Sequence, residues 1–372
     1  MAFLEIHNLS KNFGQNTVLH DINLTVPEGE FFVVLGPSGG GKSTLLRILC
    51  GIEKADTGAI TLSGRDITHL PPRDRNIGMV FQDYGLYPHM NAWENIAYGL
   101  EARSMPKAII EQRVKAAAEK LGITPLLQRV IVDLSGGEQQ RVALARALAK
   151  DAELYLFDEP LSNLDPKLRV QARRDILMVH REKRKPTLYV THDQTEALAS
   201  GDRIGIIAKG RLQQIGTAED LILRPANLFV AGFIGSPPMN ILPVTLRRTT
   251  EPDGYEAVLD GQTALRLPPH WNDALRTYSK ERILLGLPPT AFQELSAGDQ
   301  PASFTVLEGE IENLEALVGE ISVDMKLASG IRLSALFQTF DDSAFVIGNH
   351  LRLSMDTERL CLFDPDTEQA LA

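Results

Sequence analysis

The sequence predicts an α/β domain on a mainly parallel sheet, followed by a smaller all-β domain. Three observations carry this reading. From residue 1 to about 235, apolar strand-like runs alternate with helical ones. One strand-to-helix junction, residues 36 to 44, reads GPSGGGKST. After FIGSPPMN (233 to 240) the texture changes to short strands of alternating apolar and polar residues. At 372 residues the chain is long for one domain, so two or more are expected.

Phe31-Phe32-Val33-Val34-Leu35 reads as a buried strand, and Lys42 to Leu49 as a helix that stops near Gly51. Between them stand Gly36, Pro37, Ser38, Gly39, Gly40 and Gly41, then Lys42, Ser43 and Thr44. Strand, glycine loop and helix together define a P-loop, in which bare backbone N–H groups and a helix N-terminus surround phosphate oxygens. Lys42 is expected to reach the β- and γ-phosphates and the Ser43 hydroxyl to ligate Mg²⁺. A glycine-rich turn that happens to precede a lysine is the bland alternative, and the flanking strand and helix argue against it.

NIGMVFQ, ELYLFD, LYVTH and RIGIIA complete a set of buried strands. Asn91 and Glu94 form a capping-box pattern before IAYGL. Pro106 opens a helix that ends at Gly122, with Val114, Ala117, Ala118 and Leu121 on one face as core. These pieces form a helical insertion near residues 86 to 150. LYLFDEP places Asp158 at the end of a strand and Glu159 directly after it. Ligands of open α/β sheets gather at strand C-terminal ends, so Asp158 should face the P-loop and share the Mg²⁺. Glu159 is then placed as general base.

In DLSGGEQQRVALARAL, Ser135, Gly136 and Gly137 open a helix. Two glycines there disfavour the helix but allow close approach to an anion. A second anion-binding helix start beside a single P-loop is most simply assigned to the nucleotide of a partner subunit. In the tail, Ile321, Val323 and Met325 alternate with polar residues, as do Leu351, Leu353 and Met355. YEAVLDG and ALRLPP read as further short strands, so a small β-barrel with its boundary near Ser236 is expected.

Composition narrows the class. A net charge of −10 argues against nucleic acid as the main partner. No apolar run approaches the ~20 residues of a membrane span, and the N-terminus lacks the long apolar core of a signal peptide. Cys50 and Cys361 read as packed thiols in a reducing cytosol.

These motifs, in this order, resemble the ATP-binding-cassette (ABC) family along nearly the whole chain. LSGGE resembles the signature LSGGQ, SNLD (162 to 165) the D-loop, VTHD the switch region at His192, and MVFQDY the Q-loop at Gln82. Phe13 in LSKNFG is similar to the aromatic that stacks on adenine. Taken singly, Phe13 reads as core and His192 as a locally satisfied strand-end histidine. The resemblance implies an α/β P-loop NTPase fold with a RecA-like core and a helical subdomain over 1–235. It also implies an OB-like, TOBE-type regulatory domain over 236–372. It implies ATP and Mg²⁺, with Gln82 contacting the metal and the attacking water, His192 holding the γ-phosphate, and Asp165 lining an interface between two cassettes.

The narrower similarity is to ATPase subunits of maltose-type sugar and glycerol-phosphate importers, through LPPRDRNIGMVFQDYGLYPHM, THDQTEALASGDRI and FVAGFIGSPPMN. It implies a peripheral protein on the cytoplasmic face of the membrane. Its partners would be a second copy or a paralogue, two permease subunits and, indirectly, an extracytoplasmic solute-binding protein. Glu138 stands where glutamine is usual, Phe13 where tyrosine or tryptophan is, and GLPPTAF (286 to 292) where relatives carry Arg-Pro-Glu-His. Polyamine, ferric-iron and sulfate importers share the layout. A soluble cassette protein acting on ribosomes or DNA would more usually carry two cassettes or a long coiled coil. A nucleotide sensor without catalysis would not need Lys42, Asp158, Glu159 and His192 together.

Overall fold

A computed structural model describes residues 2–249, 254–259, 263–295, 306–317, 319–339 and 345–371. The chain divides into two compact units, Met1–Ala218 and Glu219–Ala372. The first unit begins β1 (Ala2–Phe13), β2 (Asn16–Pro27), β3 (Phe31–Leu35), α1 (Lys42–Cys50), β4 (Thr57–Leu62), β5 (Arg65–Asp66) and β6 (Ile77–Val80). It continues with α2 (Ala92–Glu101), α3 (Lys107–Lys120), α4 (Gly136–Ala149), β7 (Leu154–Asp158) and α5 (Pro166–Lys183). It closes with β8 (Thr187–Thr191), α6 (Gln194–Ser200), β9 (Arg203–Ala208) and β10 (Arg211–Gly216).

The expected strands form one six-stranded sheet in the order β10-β9-β3-β8-β7-β6. From β9 to β6 the neighbours run parallel, and β10 is antiparallel to β9. Every residue of β3, β7 and β8 is buried, as a parallel sheet covered on both faces requires. The register pairs Leu35 with Thr191, Val190 with Asp158, and Phe157 with Val80. The chain therefore leaves β3, β8, β7 and β6 side by side along one edge.

A second, antiparallel sheet, β2-β1-β4-β5, has its signal in period-2 alternation. Ile22, Leu24 and Val26 are buried while Asp21, Asn23 and Thr25 are exposed. Leu45, Leu46 and Leu49 of α1 share one buried cluster with Ile6 and Leu24 of this sheet and Val34 and Val190 of the parallel one. In the helical insertion, Asn91 and Glu94 cap α2 reciprocally, each side chain accepting the other's backbone N–H at 2.8 Å. Pro106 stands just before α3, and Val114, Ala117, Ala118 and Leu121 are buried.

In the second unit follow α7 (Ala218–Leu223, its first residue in the first unit), α8 (Leu228–Phe233), β11 (Asn240–Arg248), β12 (Tyr255–Leu259) and β13 (Thr263–Arg266). Then come α9 (Asn272–Thr277), β14 (Arg282–Leu287), β15 (Phe292–Glu294), β16 (Val306–Leu317), β17 (Glu320–Leu327), β18 (Arg332–Phe337), β19 (His350–Met355) and β20 (Cys361–Phe363). The expected small β domain consists of two five-stranded antiparallel sheets, β13-β12-β11-β14-β20 and β15-β19-β16-β17-β18. They share one core, in which Leu285 and Leu362 meet Val323 and Leu353. Asp260 and Gly261 of YEAVLDG lie outside the described residues.

The unit boundary falls before the expected one near Ser236, because residues 219–235 fold with the tail. Leu228 N–H donates to Glu368 O and Ala370 N–H to Ala226 O, both at 2.9 Å. Ala231 is buried with Met239, Cys361 and Phe363. Cys50 and Cys361 are buried free thiols, and burial pushes the Cys361 thiol up to about 11. Among the described residues no helix is long and apolar enough to cross a membrane.

One buried cation fixes the end of α1. Gly51 closes the helix in the left-handed region at φ 83°, and Arg75, 4% exposed, takes up the last carbonyls. Its Nη1 donates to Ile48 O at 2.7 Å and Leu49 O at 2.8 Å, and its Nε to Leu70 O at 2.7 Å. We expect Arg75→Met to strip these carbonyls of their cationic donor, leaving Ile48 O with the Gly51 N–H alone, and to lower stability by about 3 kcal/mol. A urea midpoint unchanged by that substitution would refute the assignment.

Candidate nucleotide site

The loop between β3 and α1 is built close against its neighbours. A Cβ on Gly36 would lie 2.0 Å from the carbonyl oxygen of Ile207 on β9, so only glycine lets the strand exit there. Gly41, at φ 103°, begins α1 in the left-handed region. Ser38 and Gly39 are exposed, Pro37, Ser43 and Thr44 half-buried, and Gly40 buried. Lys42 is 4% exposed. Its Nζ donates to Gly36 O at 2.9 Å and Pro37 O at 3.0 Å, which turns the ammonium back into the loop. Burial lowers the Lys42 pKa, and the nearby carboxylates of Glu159 and Asp158 oppose that shift.

Beside it, Ser43 Oγ donates to Asp158 Oδ1 at 3.1 Å. Burial raises the Asp158 pKa, and the Ser43 bond counteracts it. Among the described residues no group of three or more His, Cys, Asp or Glu could hold a metal. A hydroxyl and one carboxylate, both hard oxygen donors, suit Mg²⁺ that takes its remaining ligands from phosphate and water.

Glu159 follows with φ 43°, left-handed backbone that a non-glycine residue holds at some cost. Its N–H donates to Val190 O at 3.0 Å, and its own carbonyl accepts the Ser162 hydroxyl at 2.9 Å. These bonds hold the turn. The Glu159 carboxylate thereby stands 3.8 Å from Lys42 Nζ and 2.9 Å from His192 Nδ1. Lys42, Ser43, Asp158, Glu159 and His192, drawn from three adjacent strand ends, form one connected cluster.

Gln82 is exposed beyond the end of β6, and its backbone carbonyl accepts from Asn163 Nδ2 at 3.0 Å. Asn163 lies in SNLD, so the loop of Gln82 and that of Asp165 are tied together. Asp165 caps α5, accepting the N–H groups of Lys167 and Leu168 at 3.1 Å. Phe13 is 48% exposed and not core. Lys11 Nζ lies 4.9 Å from its ring centroid while paired to Glu53 at 2.8 Å. Ser135 precedes α4, and Glu138 Oε2 accepts both its N–H and its hydroxyl at 2.8 Å. That hydroxyl holds the Glu138 carboxyl below its ordinary range. Among the described residues, no hydrogen bond or ion pair ties Phe13, Ser135, Gly136, Gly137 or Asp165 to the Lys42 cluster.

Sequence reasoning missed Asn163, Arg146 and Arg169. Arg146 Nη2 donates to Tyr84 O at 2.7 Å, and Arg169 Nε to Leu164 O at 2.9 Å. Asn163 and Arg146 act on backbone carbonyls of distant loops, for which a linear sequence carries no signal, while Arg169 holds the turn just before its own helix.

Residues 19–162 match the ABC transporter family. The sn-glycerol-3-phosphate import ATP-binding protein UgpC of Cupriavidus necator is 41% identical over 371 residues, covering 99% of this chain and 98% of the relative. The protein of the same name from Yersinia pseudotuberculosis serotype I is 42% identical over 372 residues, covering 99% and 98%. Among solved structures, cbiO1 of Clostridium perfringens, part of the ABC transporter complex cbiONQ, superposes with a TM-score of 0.55 at 27% identity. It covers 59% of this chain and 90% of that one. The chain belongs to the ABC transporter family and is an ATPase of it.

Two substitutions separate the roles within the cluster. With Glu159 as the proposed base, Glu159→Gln keeps size and hydrogen bonding but removes the basic carboxylate, so hydrolysis should fall by roughly 10²–10⁴ while ATP still binds. Lys42→Ala should instead weaken ATP binding, because the phosphates lose their charged partner. Near-normal turnover in the first variant, or tight ATP binding in the second, would contradict these assignments.

Proposed function

We propose that this chain energises import of carbohydrate-type solutes, glycerol phosphates included, by hydrolysing ATP at sites shared between two cassettes. The observation that carries the catalytic half is the Glu159 carboxylate between Lys42 and His192. A base beside a P-loop lysine, within hydrogen-bond reach of an imidazole, is the constellation for moving a proton from water that attacks a terminal phosphate. In this reading Glu159 takes the proton and Lys42 holds the β- and γ-phosphates. His192 orients the γ-phosphate, and Phe13 offers a ring face to the base. Ser43, Asp158 and Gln82 would hold Mg²⁺, which when bound neutralises charge on the phosphates. The solute class rests on the near full-length similarity to proteins named for sn-glycerol-3-phosphate import. Polyamine, ferric iron and sulfate are the competing cargoes.

Ser135, Gly136 and Gly137 are exposed or half-buried at the start of a helix, apart from the Lys42 cluster. They are available to a nucleotide held by a second chain, identical or paralogous, with Asp165 at the interface. Permease subunits would dock near a groove of about 250 Å³ lined by Tyr87, Tyr98, Arg146 and Lys150, which lies beyond Gln82. Docking there would place the chain on the cytoplasmic face of the membrane, and the solute-binding protein would act through the permeases. The second unit would serve regulation.

The shared site has a direct test. Lys42→Ala and Ser135→Arg, purified separately, should each be inactive. In a mixed dimer one interface carries both lesions and the other carries neither. Mixing should therefore restore ATP-dependent dimerisation and trapped nucleotide at one site. If the mixture traps no more nucleotide than the separate variants, while the unmodified chain does, the head-to-tail arrangement is wrong.

A further inference from the structure

His192 occupies the short link between β8 and α6, and its side chain is about half exposed. An imidazole on such a link keeps a fixed partner only if the backbone on both sides is held. Beneath it lies a buried polar network that catalysis does not use directly. Tyr189 is 3% exposed, Thr191 2% and Glu196 8%. The Tyr189 hydroxyl donates to Glu196 Oε2 at 2.8 Å, and the Thr191 hydroxyl donates to the same oxygen at 2.9 Å. Thr191 Oγ1 accepts the backbone N–H of Asp193 at 3.0 Å, and Asp193 Oδ1 accepts the N–H of Glu196 at 3.0 Å. Both residues that flank His192 are thus held in one closed ring of bonds. The ring is anchored in the sheet, because the Tyr189 ring lies 5.7 Å from that of Phe31 on β3 and 6.3 Å from that of Phe157 on β7.

We propose that Glu196 is a positioning residue for hydrolysis, whose buried carboxylate fixes the Thr191–Asp193 turn and keeps His192 Nδ1 on Glu159. The proposal rests on the roles assigned above to His192 and Glu159. A start for α6 does not by itself call for Glu196, since Asp193 already caps that helix. Burying a carboxylate is costly unless its hydrogen bonds are satisfied, and here two hydroxyls converge on one of its oxygens. Burial and the adjacent Glu196 push the Tyr189 phenol well above its ordinary value, so it remains a proton donor. The arrangement transmits the rigidity of the sheet floor to a solvent-facing imidazole.

The test uses the full-length chain and separates positioning from folding. Glu196→Ala should lower kcat by about tenfold to a hundredfold, the range for a misaligned catalytic group. KM for ATP should change little, while the thermal midpoint falls because the Tyr189 and Thr191 hydroxyls lose their buried acceptor. Glu196→Gln, which retains an acceptor oxygen, should recover most of the loss. In a His192→Ala background, Glu196→Ala should cost nothing further, because coupled residues are non-additive. Unchanged kcat in Glu196→Ala, or losses that multiply fully with His192→Ala, would overturn the proposal. Unchanged hydrolysis in His192→Ala alone would instead remove the role assigned to His192, so the two failures are distinguishable. If Glu196→Ala does not fold, Thr191→Val takes its place, since it keeps the strand packed and removes one donor to Glu196 together with the acceptor of the Asp193 N–H. The same outcomes then decide.

Discussion

A buried ammonium must be kept among oxygen atoms or lose its charge, and the first unit is arranged around meeting that demand for Lys42. Desolvation of a charge is expensive, and a buried pair offsets it only when geometry and hydrogen bonding are good. Here the loop carbonyls of Gly36 and Pro37 receive the ammonium while Glu159 stands 3.8 Å away. The loop can fold back so tightly because Gly36 has no Cβ to strike Ile207. Asp158 meets the parallel demand by accepting from Ser43.

Sheet order supplies the rest of the geometry. Because β3 lies beside β8, and β8 beside β7, the P-loop, His192 and the Asp158–Glu159 pair emerge as neighbours from three strand ends. β6 adds Gln82 at the next position. Rigid strands bring these groups to the same edge, and side chains of other elements then set the loops. Asn163 ties Gln82 to the SNLD turn, and Arg146 ties the signature helix α4 to Tyr84. In the proposed dimer, closing a second chain against Ser135 would act on loops already joined to the edge that carries Glu159, a short mechanical route between the two.

Glu138 gives the signature of this chain its own character. Its carboxylate accepts both donors of Ser135, so the serine hydroxyl has a partner within its own helix start. The negative charge suits the positive end of α4. A phosphate arriving at Ser135 would have to replace that carboxylate oxygen.

The sequence by itself determined much. The strand–glycine–helix pattern located Lys42 and Ser43, the apolar run before DEP located Asp158 at a strand end, and the Asn91–Glu94 spacing located a helix start. Each is local chemistry, readable because the interacting residues are close in the chain. The period-2 alternation also exposed the β character of the tail. Tertiary structure decided what depends on distant segments meeting. It placed Phe13 in solvent, gave residues 219–235 to the second unit through contacts with Cys361 and Phe363, and turned Glu159 onto His192. It assigned Asn163, Arg146 and Arg75 to backbone carbonyls far away in sequence. A carbonyl has no residue-specific signature, so its partner becomes visible only when the chain has folded.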